Sequence, residues 1–333
     1  EAPQDHRSYL RNSAGWQKLN EPFTALTDGT FNAAMQLWFS NQAAAEAQYG
    51  PIGQWNVTAV TDMTEMLKAN VTQDTAGYTK VNAFNEDISA WDVSNVTIMK
   101  DALSVVNTST AGLAGGTFNQ DLSSWDVSNV TDMEAMFENQ PDFNQPLNTW
   151  DVSSVTTMLS MFLTFSLNTV KRKAQFNQPL NNWDVSSVTN MRQMFDVGFL
   201  ANDGSSFNQD LSSWNLSSVT TIQQMFRGTT DFNNGGQPLT WTLGSNLTSY
   251  FTAFYQATAF NQDVSSWDVS AATSMNGLFH DATAFNQDLS SWDVQNCSDF
   301  TNMLDDSAMS TTNYDAHLNG WSALTFASTN LIF

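Results

Sequence analysis

The chain is 333 residues long, 41% hydrophobic, and carries 33 Asp and Glu against 11 Lys and Arg, a net charge of −22. A field of that sign disfavours nucleic acid and anionic membranes, which need positive charge to displace counterions. A single cysteine, Cys297, excludes an internal disulfide framework, and no apolar run approaches the ~18 residues of a membrane span.

The chain opens at Glu1 without a Met, as a mature protein does after signal-peptide removal, so an extracellular or cell-surface location is expected. Residues 1–50 read as an N-terminal segment and helical cap. An amphipathic helix is predicted from about Thr30 to Gly50, with a second start at Ser40 or Asn41 and a stop at Gly50-Pro51.

Residues 51–297 repeat one phrase nine times, most completely as FNQDLSSWDVSNVTDMEAMF from Phe118. Its tryptophans are Trp55, Trp91, Trp125, Trp150, Trp183, Trp214, Trp241, Trp267 and Trp292. The shortest interval is 25 residues, and longer ones carry insertions between the closing Met-Phe and the next Phe-Asn. Insertions confined to one vertex are expected of stacked coils. The predicted fold class is therefore an α/β repeat, a right-handed leucine-rich-repeat-like solenoid of short strands and short helices with terminal caps. Nine coils at the ~4.8 Å spacing of neighbouring strands make a stack roughly 45 Å long.

Within a unit, Asp121-Leu122-Ser123 reads as a short strand turning one aliphatic inward. Asp126 and Ser128 suit an Asx-type turn. Thr131 and Glu134 suit a capping box, ahead of Met133, Met136 and Phe137 at i, i+3 and i+4 on a two-turn helix. The Asn after each Phe (Asn85, Asn119, Asn144 and onward) is placed to form a carboxamide ladder. Residues 298–333 break the phrase as a C-terminal cap, with Leu318, Trp321, Leu324 and Phe326 as its closing apolar set.

Five features carry chemistry. Asp92, Asp126, Asp151, Asp184, Asp268 and Asp293 follow the tryptophans; stacked carboxylates repel unless each caps its own turn or a cation such as calcium neutralises them. Eight N-x-S/T sequons occur, of which Asn70 and Asn107 lie in insertions and are the better glycan carriers. Lys171, Arg172 and Lys173 form the one basic cluster, placed to meet an acidic neighbouring subunit or simply solvent. The insertions near 68–83, 101–117, 163–175 and 196–206 share one edge and would build a ridge suited to binding. Finally, His6, His280 and His317 are isolated, and no phosphate loop, zinc spacing or nucleophile elbow is present, so no catalysis and no obligatory cofactor are expected.

The phrase W-D-V-S-x-V-T-x-M-x-x-M-F, from about Phe31 to Phe333, resembles the BspA-type leucine-rich-repeat surface proteins. The same repeat is a domain of unknown function in mycoplasma lipoproteins and marine algae. The resemblance implies a cell-surface or extracellular scaffold, in some members adhesive, with no catalytic residues to carry over. This chain departs from the commonest form in having Trp where Phe is usual and in its long insertions. The expected function is a non-catalytic adhesion or recognition scaffold for an extracellular protein or glycan, with no membrane insertion. The alternatives are a structural subunit, polymerising with copies of itself into a layer or filament, and a polysaccharide-active enzyme. The enzyme would need two exposed carboxylates about 5–9.5 Å apart in a groove.

Overall fold

The computed structural model describes residues 9–12, 15–18, 25–67, 75–105, 115–164, 172–198 and 204–327. β1 (Tyr9–Asn12) pairs antiparallel with β2 (Gly15–Lys18). α1 (Asp28–Ser40) and α2 (Gln42–Tyr49) follow. The break between them falls at Asn41, whose side chain accepts the Ala44 N–H and starts α2. α3 (Thr75–Asn82) sits in the first insertion, and α4 (Thr311–Ser322) closes the described chain.

Between the caps, the repeats stack through isolated parallel bridges. They run Asp62–Ile98–Asp132–Thr157–Asn190–Thr221 and Ser249–Ser274–Asp299. The two runs are joined where β3 (Asn215–Leu216) pairs parallel with β4 (Thr242–Leu243). Each coil then hands alternate amides to the next. Met133 donates to the Thr157 carbonyl at 3.1 Å, Ala135 to Leu159 at 2.7 Å, Phe137 to Met161 at 2.9 Å and Asn139 to Leu163 at 2.7 Å.

That lateral bonding replaces the helix expected over Thr131–Phe137, which is a run of turns. The reason is one residue per coil. Glu65, Asp101, Ala135, Ser160, Gln193, Gln224, Thr252, Gly277 and Asn302 all have φ between 48° and 60°. A left-handed residue cannot continue a right-handed helix. It closes a turn instead, with the Met136 N–H on the Met133 carbonyl at 3.3 Å. Two inward positions, Met136 and Phe137, follow one outward turn, and this mimics the i, i+3, i+4 spacing of a helix. The strand expected at Asp121–Ser123 is likewise irregular, and the ladder runs through the Asp132 position.

Three aromatic files fill the interior. The Phe-Asn phenylalanines stack from Phe84 to Phe285 at 5.9–6.2 Å between ring centres. The Met-Phe rings stack from Phe137 to Phe279 at 5.2–5.7 Å. In the third file, Trp183 and Trp214 are 6.5 Å apart and 1° from parallel, an offset geometry that adds to area burial.

Two sets of polar rungs run beside these files. From Trp91 onward each repeat indole N–H donates to the carbonyl of the preceding coil's aliphatic, for example Trp125 to Ile88 at 3.1 Å, Trp150 to Leu122 at 2.9 Å and Trp267 to Leu239 at 2.6 Å, while Trp55 donates to Gly50 of the cap at 3.0 Å. Phe could fill that space but could not donate, which explains Trp at this position. The Asn side chains bond the next coil's backbone and not one another: Asn119 Oδ1 accepts from the Asn144 N–H, and Asn144 Oδ1 from the Asn177 N–H, both at 2.9 Å.

The caps terminate these rungs. In α1, Asp28 accepts the Thr61 N–H at 2.7 Å, the bond a preceding coil would otherwise accept. At the far end the Ser310 N–H satisfies Asn286 Oδ1 at 2.8 Å, and the Trp321 indole donates to Leu289 at 3.1 Å. Trp321, Leu324 and Phe326 pack on the core as expected, but Leu318 does not: it is 43% exposed.

The seventh coil is the irregular one. It has one extra residue between Trp241 and Leu247, accommodated at Gly244, where a Cβ would lie 2.0 Å from the Ser217 carbonyl. Its Tyr250 takes a position that Met holds in most coils, and the Tyr250 hydroxyl is buried without a hydrogen-bond partner. An orphaned buried hydroxyl costs about 1–3 kcal/mol. Tyr250→Phe is therefore expected to stabilise the protein by about 1 kcal/mol or more. Chemical denaturation measures this, and an unchanged or lower stability would show that the hydroxyl finds a partner.

Candidate functional site: the outward face of the parallel ladder

The six post-Trp aspartates are held one by one. Asp92, Asp126 and Asp151 each accept the serine two residues on, through its hydroxyl at 2.6 Å and its amide at 3.0–3.1 Å. Asp184 and Asp268 accept the Ser186 and Ser270 amides at 3.0 Å, and Asp293 accepts the Gln295 amide at 3.1 Å. At Asp92, Asp126, Asp184 and Asp268 the serine hydroxyl, then its amide, holds the carboxyl below its ordinary value. Asp87, Asp121, Asp210, Asp263 and Asp288 cap a second turn in the same way. Turn capping thus accounts for the excess of Asp over Glu.

Lys171, Asn70 and Asn107 lie outside the described residues. Arg172 pairs with Asp142, and Lys173 Nζ lies 2.6 Å from Asp231 Oδ2. Both cations tie the third insertion to its own stack. The insertions do return on one edge: the Thr117 amide bonds the Asn82 carbonyl, the Gln175 amide bonds Pro141, and Ala174 bridges Ser205. Three repeat sequons are occupied by structure. The carboxamides of Asn95, Asn129 and Asn296 donate at 2.8 Å to the preceding coil's Thr58, Ser94 and Ser270 carbonyls. Cys297 is buried, and burial pushes its thiol pKa up to about 11, so it stays protonated at neutral pH.

A different face breaks the uniformity of the repeat. Two residues after each bridge, the ladder turns one side chain outward. That column reads Thr64, Lys100, Glu134, Leu159, Arg192, Gln223, Phe251, Asn276, Thr301. The inward positions that flank it, by contrast, are almost uniform: mostly Met one step before, and Met or another apolar residue two steps after. A second column four residues on is as varied but only partly open: Ser104, Leu163, Asp196 and Arg227 are buried, while Glu138, Tyr255, His280 and Asp305 reach the surface.

The two columns differ in how their members are held. Lys100 Nζ pairs with Glu134 at 2.8 Å, and the Ser104 hydroxyl donates to Glu138 at 2.9 Å. Arg227 grips Asp196 through two bonds, Nε to Oδ1 at 2.9 Å and a terminal nitrogen to Oδ2 at 2.6 Å, both residues being buried. Towards the C-terminal end the face turns aromatic. Phe251 is 38% exposed, one of the few large apolar side chains in the open, and the Tyr255 and His280 rings lie 4.9 Å apart.

Sequence reasoning placed binding on the insertions and read this segment as a helix, so the outward column went unseen. The signal was available as variation between copies. At fixed offset from the tryptophans, a position that reads Thr, Lys, Glu, Leu, Arg, Gln, Phe, Asn and Thr is under no packing constraint. His280 was also taken as isolated. Yet Asp281 and Asp306 lie 14 residues after Trp267 and Trp292 and so share a column. His280, Asp281 and Asp306 each bring one ligand atom, all within 4.8 Å of one another.

Coils of one phrase, joined by indole and carboxamide rungs and varying on one outward face, define a tandem-repeat protein. The chain belongs to the family described as Mycoplasma protein of unknown function, DUF285, whose model matches residues 33–171, 166–252 and 239–333. No curated protein and no solved structure matches the chain. Among the described residues, no helix is long and apolar enough to cross a membrane.

Proposed function

We propose that the protein is a non-catalytic recognition scaffold of the extracellular space or cell surface. In this reading it is a right-handed leucine-rich-repeat-like solenoid of the BspA type, and it binds an extracellular protein or glycan. The observation that carries the reading is the outward column from Thr64 to Thr301, whose side chains are all at least partly exposed and change from coil to coil beside inward positions held by Met and other apolar residues. An outward column with no packing role keeps eight different residues over nine coils where something outside the coil reads them. The exposed Phe251, with Arg192, Gln223 and Asn276 on the neighbouring coils, supplies the aromatic and Arg anchors on which interfaces depend. The alternative of a polymerising surface subunit rests on the 171–173 loop meeting an acidic neighbour. Arg172 and Lys173 already face Asp142 and Asp231 of the same chain, so recognition is the reading advanced.

The test is a screen of the purified chain against immobilised glycans and extracellular matrix proteins, followed by titration of any hit. The Phe251→Asp, Arg192→Glu double variant is expected to weaken binding at least about tenfold, as loss of an interface anchor does, with an unchanged melting curve. Binding that survives this variant and is lost on shortening the insertions would move the site to the insertion edge.

A further inference from the structure

We infer that His280, Asp281 and Asp306 form a binding site for a divalent transition-metal cation of the Zn2+ type. The three ligand atoms converge within 4.8 Å of one another. His280 Nε2 already stands 3.7 Å from Asp281 Oδ2. Metal–ligand bonds of about 2.0–2.2 Å require a modest contraction of such a set, which side-chain rotation can supply.

Several observations point the same way. Asp281 and Asp306 occupy equivalent left-handed positions of successive coils, φ 58° and 53°, so the stack itself sets one carboxylate beside the other. Like charges at that separation repel in the absence of a cation. No Lys or Arg follows Arg227 in the chain, and the nearby Arg227 is itself paired with Asp196. The preceding member of the column is Gln256, φ 57°, whose amide donates to Asp281 Oδ2 at 3.3 Å. Tyr255 bonds the Asp281 carboxylate as well and packs its ring against His280. Partners of this kind orient metal ligands from behind. The set is partly open, since the side chains of His280 and Asp281 are 21% and 30% exposed, so a cation and its remaining waters can reach it. One imidazole and two carboxylates suit a borderline ion such as Zn2+ better than calcium, which favours an all-oxygen shell. The remaining acidic neighbour, Asp305, is exposed and adds to the negative field.

The experiment is calorimetric titration of the full chain with Zn2+, backed by the visible absorption of Co2+ as a coordination probe. One saturable site is expected. His280→Ala and Asp306→Asn should each weaken it about tenfold or more, in line with losing a metal ligand, while Asp92→Asn binds as the parent does. Both substitutions sit at partly open positions, and metal-free melting curves matching the parent confirm that the variants fold. Absence of a saturable site, or equal weakening by Asp92→Asn, would overturn the assignment. Calcium at the same concentration is expected not to compete, and full competition by it would also count against a site built on the imidazole.

Discussion

Trp150→Ala is expected to destabilise the protein by about 3–5 kcal/mol, and Trp150→Phe by about 1–3 kcal/mol. The two numbers separate what the indole does. Alanine removes a ring that is 3% exposed and leaves a cavity beside Phe137, whose ring centre lies 6.2 Å away. Phenylalanine keeps most of the apolar contact but cannot donate to the Leu122 carbonyl, 2.9 Å from the indole nitrogen in the parent. That carbonyl belongs to a fully buried residue and would keep only the Trp125 N–H at 3.0 Å, losing the second of its two donors. Denaturant titration of the three proteins measures both steps. Equal stabilities of the Phe variant and the parent would show that the indole rung is dispensable and that area alone selects Trp. Because each coil touches only its neighbours, a weak third-to-fourth junction should also lower the cooperativity of unfolding, seen as a smaller denaturant slope.

Arg227→Ala should be as costly, about 3–5 kcal/mol, for a different reason. It strands the Asp196 carboxylate, which has no exposed surface. Asp196 would keep the Gln193 amide at 3.0 Å and the Gly198 N–H at 2.7 Å, but two hydrogen bonds do not replace a bidentate cation. Removing both charges is the informative comparison. Asp196→Leu with Arg227→Met is expected to recover most of the loss, since a buried pair replaced by apolar groups of similar size is often neutral or better. A double variant no more stable than Arg227→Ala would mean the pair itself, not its desolvated remainder, stabilises the stack.

What the sequence made legible follows from what repeats. The Trp, Phe and Asn files were readable because nine copies place the same side chain at the same offset, and stacking is the arrangement that puts all of them inside at once. The helix break at Asn41 was readable from its capping chemistry. The local backbone was not. Met133, Met136 and Phe137 fit a helix by spacing, and nothing in Ala135 announces a positive φ; among nine such positions only Gly277 is a glycine. The left-handed turn exists because lateral bonds from Met133, Ala135 and Phe137 to the next coil outweigh its local cost, and those bonds are invisible within a single unit. The outward column was missed for the same reason. Once the segment was taken as helix, its exposed positions read as solvated surface.

The rungs have a consequence for how such a gene can grow. Most coils offer their neighbour the same carbonyls and carboxamides that they receive from the coil before, and cap residues such as Asp28 and Gly50 at one end and Ser310, Asn313 and Trp321 at the other stop the series. A duplicated segment such as 118–142, the shortest complete period, would therefore slot in with its bonds satisfied on both sides. The length of the molecule is a copy number rather than a design constraint. Each added copy brings a fresh outward position free to diverge, so reach and specificity can evolve in the same event without disturbing either cap.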